Sequence, residues 1–294
     1  MPTTIAVANG KGGVGKTSLV AHLLGYAAVS GWRCLGVDLD PQGNLARDLG
    51  YVEREENDGG EGLFRAVMAK IPLAPIPAVR ANLDVISGGP GTRMLSNNLA
   101  LGANNMQNTG LDALRDTLAP LLESYDLAVL DLPPGDSFVQ QAAFRLADHV
   151  VVPTTGDDAA NDGLSLVLEN YEAARPANPA LRVLGIVVTQ MQTGAKAMLR
   201  ETLADLESIV NGRVRIFAPP VRYAKKAARD CRHRGLLAFE YEDAGAKAPK
   251  WYELRQTGKQ APSYAENASG LATDYQQLTE AILAAATIPA GQGR

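Results

Sequence analysis

Short apolar runs separated by longer stretches of helical periodicity make up most of the chain. Ile5–Ala8, Trp32–Asp38, Leu83–Ile86, Leu127–Asp131, His149–Pro153 and Leu184–Thr189 have the length of buried strands. Between them, Thr17–Ser30, Leu63–Lys70, Leu111–Ser124 and Asp162–Ala174 carry apolar residues at helical spacing. Leu19 and Leu23 with Val20 and Leu24 illustrate the first of these. Leu271–Ala285 adds a closing helix, with Leu271, Tyr275, Leu278 and Ile282 on one side. Strands alternating with helices predict right-handed crossovers and an α/β fold with a doubly wound, mostly parallel sheet. Residues 53–62, polar and rich in glycine, read as a solvated loop. The cluster Gly88-Gly89-Pro90-Gly91 reads as a connection.

The first strand and first helix flank Gly10-Lys11-Gly12-Gly13-Val14-Gly15-Lys16-Thr17. This is the phosphate-loop pattern of Gly, four residues, Gly, Lys, then Ser or Thr, in the strand–turn–helix context that the pattern requires. Glycines let successive backbone N–H groups converge on phosphate oxygens, and the helix N-terminus adds partial positive charge. Lys16 would reach the β- and γ-phosphates of ATP, and the Thr17 hydroxyl would hold Mg2+. Two later runs end in acid: Asp38, followed closely by Asp40, and Asp131. Carboxylates just beyond a strand's C-terminal end lie where open α/β sheets place their ligands.

Composition narrows this picture without changing it. The 294 residues are 46% hydrophobic and 20% charged, with a net charge of −4, so no global cationic field suggests nucleic acid. Cys34 and Cys231 are far apart and in no metal-binding spacing, which suits a reducing cytoplasm. No apolar run approaches the ~18 residues of a membrane span, and a cytoplasmic protein is expected. Against this background, residues 211–235 stand out. They hold eight Lys or Arg and His233 against one acid, Asp230. A helix from Val221 would place Arg222, Lys225, Lys226, Arg229 and His233 on one face, with Val221, Ala224, Ala228 and Cys231 as a narrow apolar stripe. Concentrated, unpaired positive charge predicts an anionic partner, with DNA phosphate the obvious one.

The early second lysine, in Lys11-Gly-Gly-Val-Gly-Lys-Thr, resembles the deviant phosphate loop of the ParA/MinD family of P-loop ATPases. Asp38-Leu39-Asp40-Pro41-Gln42-Gly43-Asn44 resembles that family's switch I. Asp131 has the Walker B form, and Leu132-Pro133-Pro134-Gly135 resembles switch II. The resemblance covers roughly residues 3–240 and the final helix. It implies that Lys11 crosses a dimer interface to the partner's nucleotide, that Asp40 orients or activates the attacking water near the magnesium, and that Asp131 reaches the metal through bound water. The catalytic set is then Lys11, Lys16 and Asp40, and the metal set Thr17, Asp40 and Asp131. The nucleotide contacts are Lys11, Gly12, Gly13, Val14, Gly15, Lys16, Thr17 and Ser18, with Gln190, Pro219 and Val221. Arg222, Lys225, Lys226 and Arg229 would meet DNA.

The resemblance further implies a DNA-partitioning ATPase built as one domain over residues 1–294. ATP would drive a homodimer that binds double-stranded DNA without sequence preference at the nucleoid, and a ParB-like partner would stimulate hydrolysis. No helix-turn-helix precedes the first strand, so operator binding is not expected. Where the family commonly has Pro-Arg-Asn-Val-Arg, this chain has Ala218-Pro219-Pro220-Val221-Arg222. Residues 242–264, around Trp251 and Tyr252, read as an insertion or long loop, and 287–294 as a frayed tail. A MinD-like membrane-cycling regulator would need a basic amphipathic C-terminal helix, yet Gly270–Gly293 holds no Lys or Arg. A redox enzyme like the nitrogenase iron protein would need a cysteine pair that is missing. P-loop small-molecule synthetases remain the enzyme alternative, and the basic segment separates partitioning from them.

Overall fold

The computed structural model describes residues 2–103, 109–248, 264–265 and 267–287. Eight strands form one sheet: β1 Thr3–Val7, β2 Cys34–Asp38, β3 Ile76–Arg80, β4 Leu83–Ile86, β5 Leu127–Asp131, β6 His149–Thr154, β7 Arg182–Val188 and β8 Ile216–Phe217. Their order is β3-β4-β2-β5-β1-β6-β7-β8, parallel throughout except for β3 against β4. The central strands are apolar on both faces because both are covered. Ile5 and Val7 point into one core, Ala6 and Ala8 into the other.

Helices lie on both faces of the sheet. The first core holds residues of α1 (Lys16–Val29), α2 (Asn44–Asp48), α9 (Lys225–Arg234), α10 (Ala238–Ala246) and α11 (Ala268–Ala286). The second holds residues of α3 (Glu61–Ala69), α4 (Pro90–Ala103), α5 (Thr109–Leu122), α6 (Ser137–Leu146), α7 (Asp158–Ala174) and α8 (Lys196–Val210). The fold is the doubly wound α/β architecture that the periodicity predicts.

The periodicity reading does not include β8, α2, α6, α8 or α10, and three further elements differ from the sequence expectation in their bounds or role. Gly88-Gly89-Pro90-Gly91 does not simply connect; it opens α4, whose first residue, Pro90, has a φ already suited to a helix. Its glycines serve packing, since a Cβ on Gly89 would lie 2.7 Å from the Gly59 carbonyl oxygen. β3 runs through the proline-rich stretch after α3, and as an edge strand it tolerates Pro77. The basic helix begins at Lys225, not Val221. Residues 221–223 are instead held beside the end of β7: Val221 N–H donates to Val188 O at 2.8 Å and Tyr223 N–H to Met191 O at 2.7 Å. Arg222 is therefore not on the helix, and the buried small residue inside α9 is Ala227, while Ala228 is exposed.

The expected insertion begins as the last turns of α10, and 249–263, with Trp251 and Tyr252, lie outside the described residues, as do 288–294. Among the described residues, no helix is long and apolar enough to cross a membrane.

Candidate nucleotide site

The phosphate loop turns from the C-terminal end of β1 into α1 through two left-handed glycines, Gly13 at φ 78° and the N-cap Gly15 at φ 81°. Side chains from neighbouring strand ends pin it. The amide of Asn9, fully buried, donates to Pro153 O at 2.8 Å and accepts from Lys11 N–H at 2.7 Å. Thr189 Oγ1 donates to Val14 O at 2.9 Å, and Gln190 Nε2 donates to Gly13 O. Gly163 of α7 approaches the loop's first turn, its carbonyl accepting from Gly10 N–H at 3.2 Å. Sequence reasoning missed Asn9 and Thr189. Their one signal is a polar residue placed just past the end of an apolar strand.

The register of β2 against β5 pairs Asp38 with Asp131 at the same sheet edge. Asp38 accepts from Asp40 N–H at 2.9 Å and Leu45 N–H at 3.2 Å, so it shapes the turn into α2. Burial and the neighbouring Asp131 hold its carboxyl well above the usual carboxylate range. Asp40 Oδ1 accepts from Gln42 N–H at 2.8 Å, and Asp40 stands on the wall of the cleft. Lys16, 6% exposed, lies over the loop and donates to Lys11 O at 2.9 Å and Asn9 O at 3.4 Å. Burial lowers its pKa, and Asp131 and Asp40 oppose that shift.

Asp131 is fully buried, and neither carboxylate oxygen has a hydrogen-bond partner of normal geometry. Burial pushes its pKa up to about 7, while the nearby Thr17 hydroxyl and Lys16 favour the charged form. A buried carboxylate so weakly compensated is costly unless a further cation meets it. Oxygen donors from Thr17, Asp40 and Asp131 suit a hard divalent cation such as Mg2+. Among the described residues no group of three or more His, Cys, Asp or Glu could hold a metal alone. The ion would therefore share its shell with phosphate and water, the usual arrangement for magnesium.

A cleft of about 560 Å³ opens over the loop. Of the expected nucleotide contacts, Gly12, Gly13, Gly15, Lys16, Thr17, Ser18, Gln190 and Val221 line it, whereas Lys11, Val14 and Pro219 do not. Lys11 sits at the rim, its ammonium 2.8 Å from both carboxylate oxygens of Asp157 in the same chain. Three residues expected to meet DNA, Arg222, Lys225 and Arg229, also line this cleft, as does Arg232; Lys226 does not.

The basic segment is not the unpaired run that its sequence suggests. Arg222 donates through Nε and Nη2 to Asp274 at 2.6 and 2.7 Å, and its backbone N–H donates to the same carboxylate at 3.0 Å. Arg232 Nε donates to Asp48 at 2.7 Å, and Arg234 lies over the Tyr264 ring at 4.6 Å. The pairing acids come from α2 and α11, distant in sequence, which is why a local charge count misses them.

Residues 2–183 match the family described as AAA domain. The chain is 36% identical over 212 residues to the chromosome-partitioning ATPase Soj of Thermus thermophilus, covering 69% of this chain and 75% of that protein. Apo McdA of Cyanothece superposes with a TM-score of 0.73 at 20% identity, over 96% of this chain and 100% of McdA. The fold is also shared with cobyrinic acid a,c-diamide synthase of Mycobacterium smegmatis solved with ADP and magnesium, at a TM-score of 0.62 and 24% identity, over 90% of this chain and 100% of the synthase. Family match and Soj identity agree with the loop, the acids and the sheet order: the chain belongs to the ParA-type P-loop ATPases.

Proposed function

We propose that this chain is a DNA-partitioning ATPase that dimerises on ATP, binds double-stranded DNA without sequence preference and is stimulated by a ParB-like partner. The carrying observation is the pair of lysines on one loop. Lys16 is buried over the phosphate cradle, whereas Lys11 is at the rim in an exposed ion pair with Asp157. An exposed pair of this kind is worth about 0–1 kcal/mol, so exchanging Asp157 for a phosphate on a second protomer costs little.

Lys16 and the loop N–H groups bind the β- and γ-phosphates. A magnesium ion held by Thr17, Asp40 and Asp131 would neutralise charge on the phosphate oxygens. Asp40, at the cleft wall and itself one of the magnesium set, orients the water for in-line attack. Asp38 keeps Asp40 in place through the Asp40 N–H.

Light scattering with ATP and with ADP, run beside phosphate release, tests the reading. Wild type is expected to double its mass with ATP alone and to hydrolyse it. Asp40→Ala is expected to stay dimeric on ATP and release no phosphate. A chain that remains monomeric with ATP in both forms would sink the proposal.

A further inference from the structure

Lys225, Ala228, Arg229 and Arg232 follow one another at i, i+3, i+4 and i+7, so they form one face of α9. All four line the nucleotide cleft. The segment therefore turns a cationic helix face towards the phosphate loop, with the small side chain of Ala228 at its centre. Arg232 already has a partner in Asp48. Among the described residues no ion pair holds Lys225, and the nearest carboxylate to Arg229 is Asp230 at 3.8 Å. Two cations on a cleft wall are thus left to meet something anionic inside it.

Asp48 fixes where on the cleft this face lies. It accepts from Ser18 Oγ at 2.8 Å and from Arg232 Nε at 2.7 Å, so one buried carboxylate ties the first turn of α1 to α9. The polarity of a phosphate loop then names the nearby part of the ligand. Loop N–H groups cradle the α- and β-phosphates and Lys16 takes the β- and γ-phosphates. The nucleoside end leaves beside the first turn of the following helix. That turn contains Ser18, and α9 is fastened to it.

We infer that Lys225 and Arg229 bind the α-phosphate and ribose end of a nucleoside di- or triphosphate, with Asp48 and Arg232 as positioning residues that hold α9 against it. The cation count of the segment then belongs largely to the nucleotide and to internal pairs. This inference rests on nucleotide binding at the phosphate loop and not on DNA binding.

Calorimetric titration with ADP and with ATP, in the absence of DNA, tests it. Charge-assisted hydrogen bonds are the strong ones, and Arg229→Ala is expected to weaken ADP about tenfold. ATP should weaken by the same factor, because both nucleotides carry the α-phosphate. Arg229→Lys should recover most of the loss, and Lys225→Ala/Arg229→Ala should exceed the single change. Both side chains are exposed, so melting temperatures should match wild type. ADP affinity within twofold of wild type in the double variant would overturn the inference. Wild type that bound neither nucleotide would instead remove the phosphate-loop reading beneath it.

Discussion

The phosphate loop and the basic segment both announce themselves as clusters of one residue type, yet they behave oppositely in the fold. The loop works through backbone geometry: Gly13 and Gly15 take left-handed φ values, and the chain itself forms the cradle. The turn itself is written within eight residues, although Asn9, Thr189 and Gln190 pin it from outside. The basic segment works through side chains whose partners are elsewhere. Asp274 takes Arg222, Asp48 takes Arg232, and Tyr264 lies beneath Arg234. A charge run states how many cations exist and leaves open which are already engaged.

This contrast sets an order of expected effects. Lys16→Ala should be the largest, because it removes the one buried cation over the cradle. ATP affinity should fall by about a hundredfold, since a hydrogen bond to a charged group is worth about 1.5–3 kcal/mol and leaving its charged partner unmet costs more. Calorimetry reads it, and near-normal binding would contradict the assignment of the loop.

His22 sharpens the comparison where the two regions meet. It lies on α1, stacks on Tyr275 of α11 at 3.7 Å, is bonded through Nδ1 to Ser18 O at 2.7 Å, and through Nε2 accepts from Ala238 N–H at 3.0 Å. These two bonds require the neutral ring with the proton on Nδ1. Burial lowers its pKa from 6.5 to about 4. A lowered folded-state value means stability that is complete above pH 6.5 and is lost as pH falls towards 4. Protonation linkage is worth about 1.36 kcal/mol per pH unit across that window, so the loss approaches 3 kcal/mol. Urea denaturation at pH 7.5, 5.5 and 4.5 should show it, and His22→Gln should flatten the profile.

Asp274→Ala is expected next, at about 2 kcal/mol of lost stability, because it strands a half-buried guanidinium that makes two hydrogen bonds with that carboxylate, and the Arg222 backbone N–H that makes a third. If the basic segment were a solvated face, the change would be near zero. Asp157→Ala is the smallest, below about 1 kcal/mol, since its pair with Lys11 is exposed. The same variant should leave the ATP-driven dimer intact, whereas Lys11→Ala should lose it.

The strands and helices that carry the site were legible because buried parallel strands are continuous apolar runs and their helices keep a 3.6 period. Asp40 and Asp131 were legible as acids ending such runs. Asn9, Thr189 and Asp48 were not, because each acts through a bond to another element. Asn9 pins the loop to Pro153, Thr189 ties β7 to Val14, and Asp48 joins α1 to α9. The helix start at Lys225 was missed for the same reason. The backbone of 221–223 is taken by β7 and Met191, a pairing between elements.

Fluorescence anisotropy of wild type with two labelled duplexes of unrelated sequence, titrated at graded salt with ATP and with ADP, tests the partitioning function most directly. Equal affinity for both duplexes is predicted, strong with ATP and weak with ADP, because a dimer offers two faces to one duplex. Log affinity should fall linearly with log salt by about 0.9 per phosphate neutralised. Absence of any ATP-dependent duplex binding would contradict the account and leave a small-molecule synthetase on the same scaffold as the better reading.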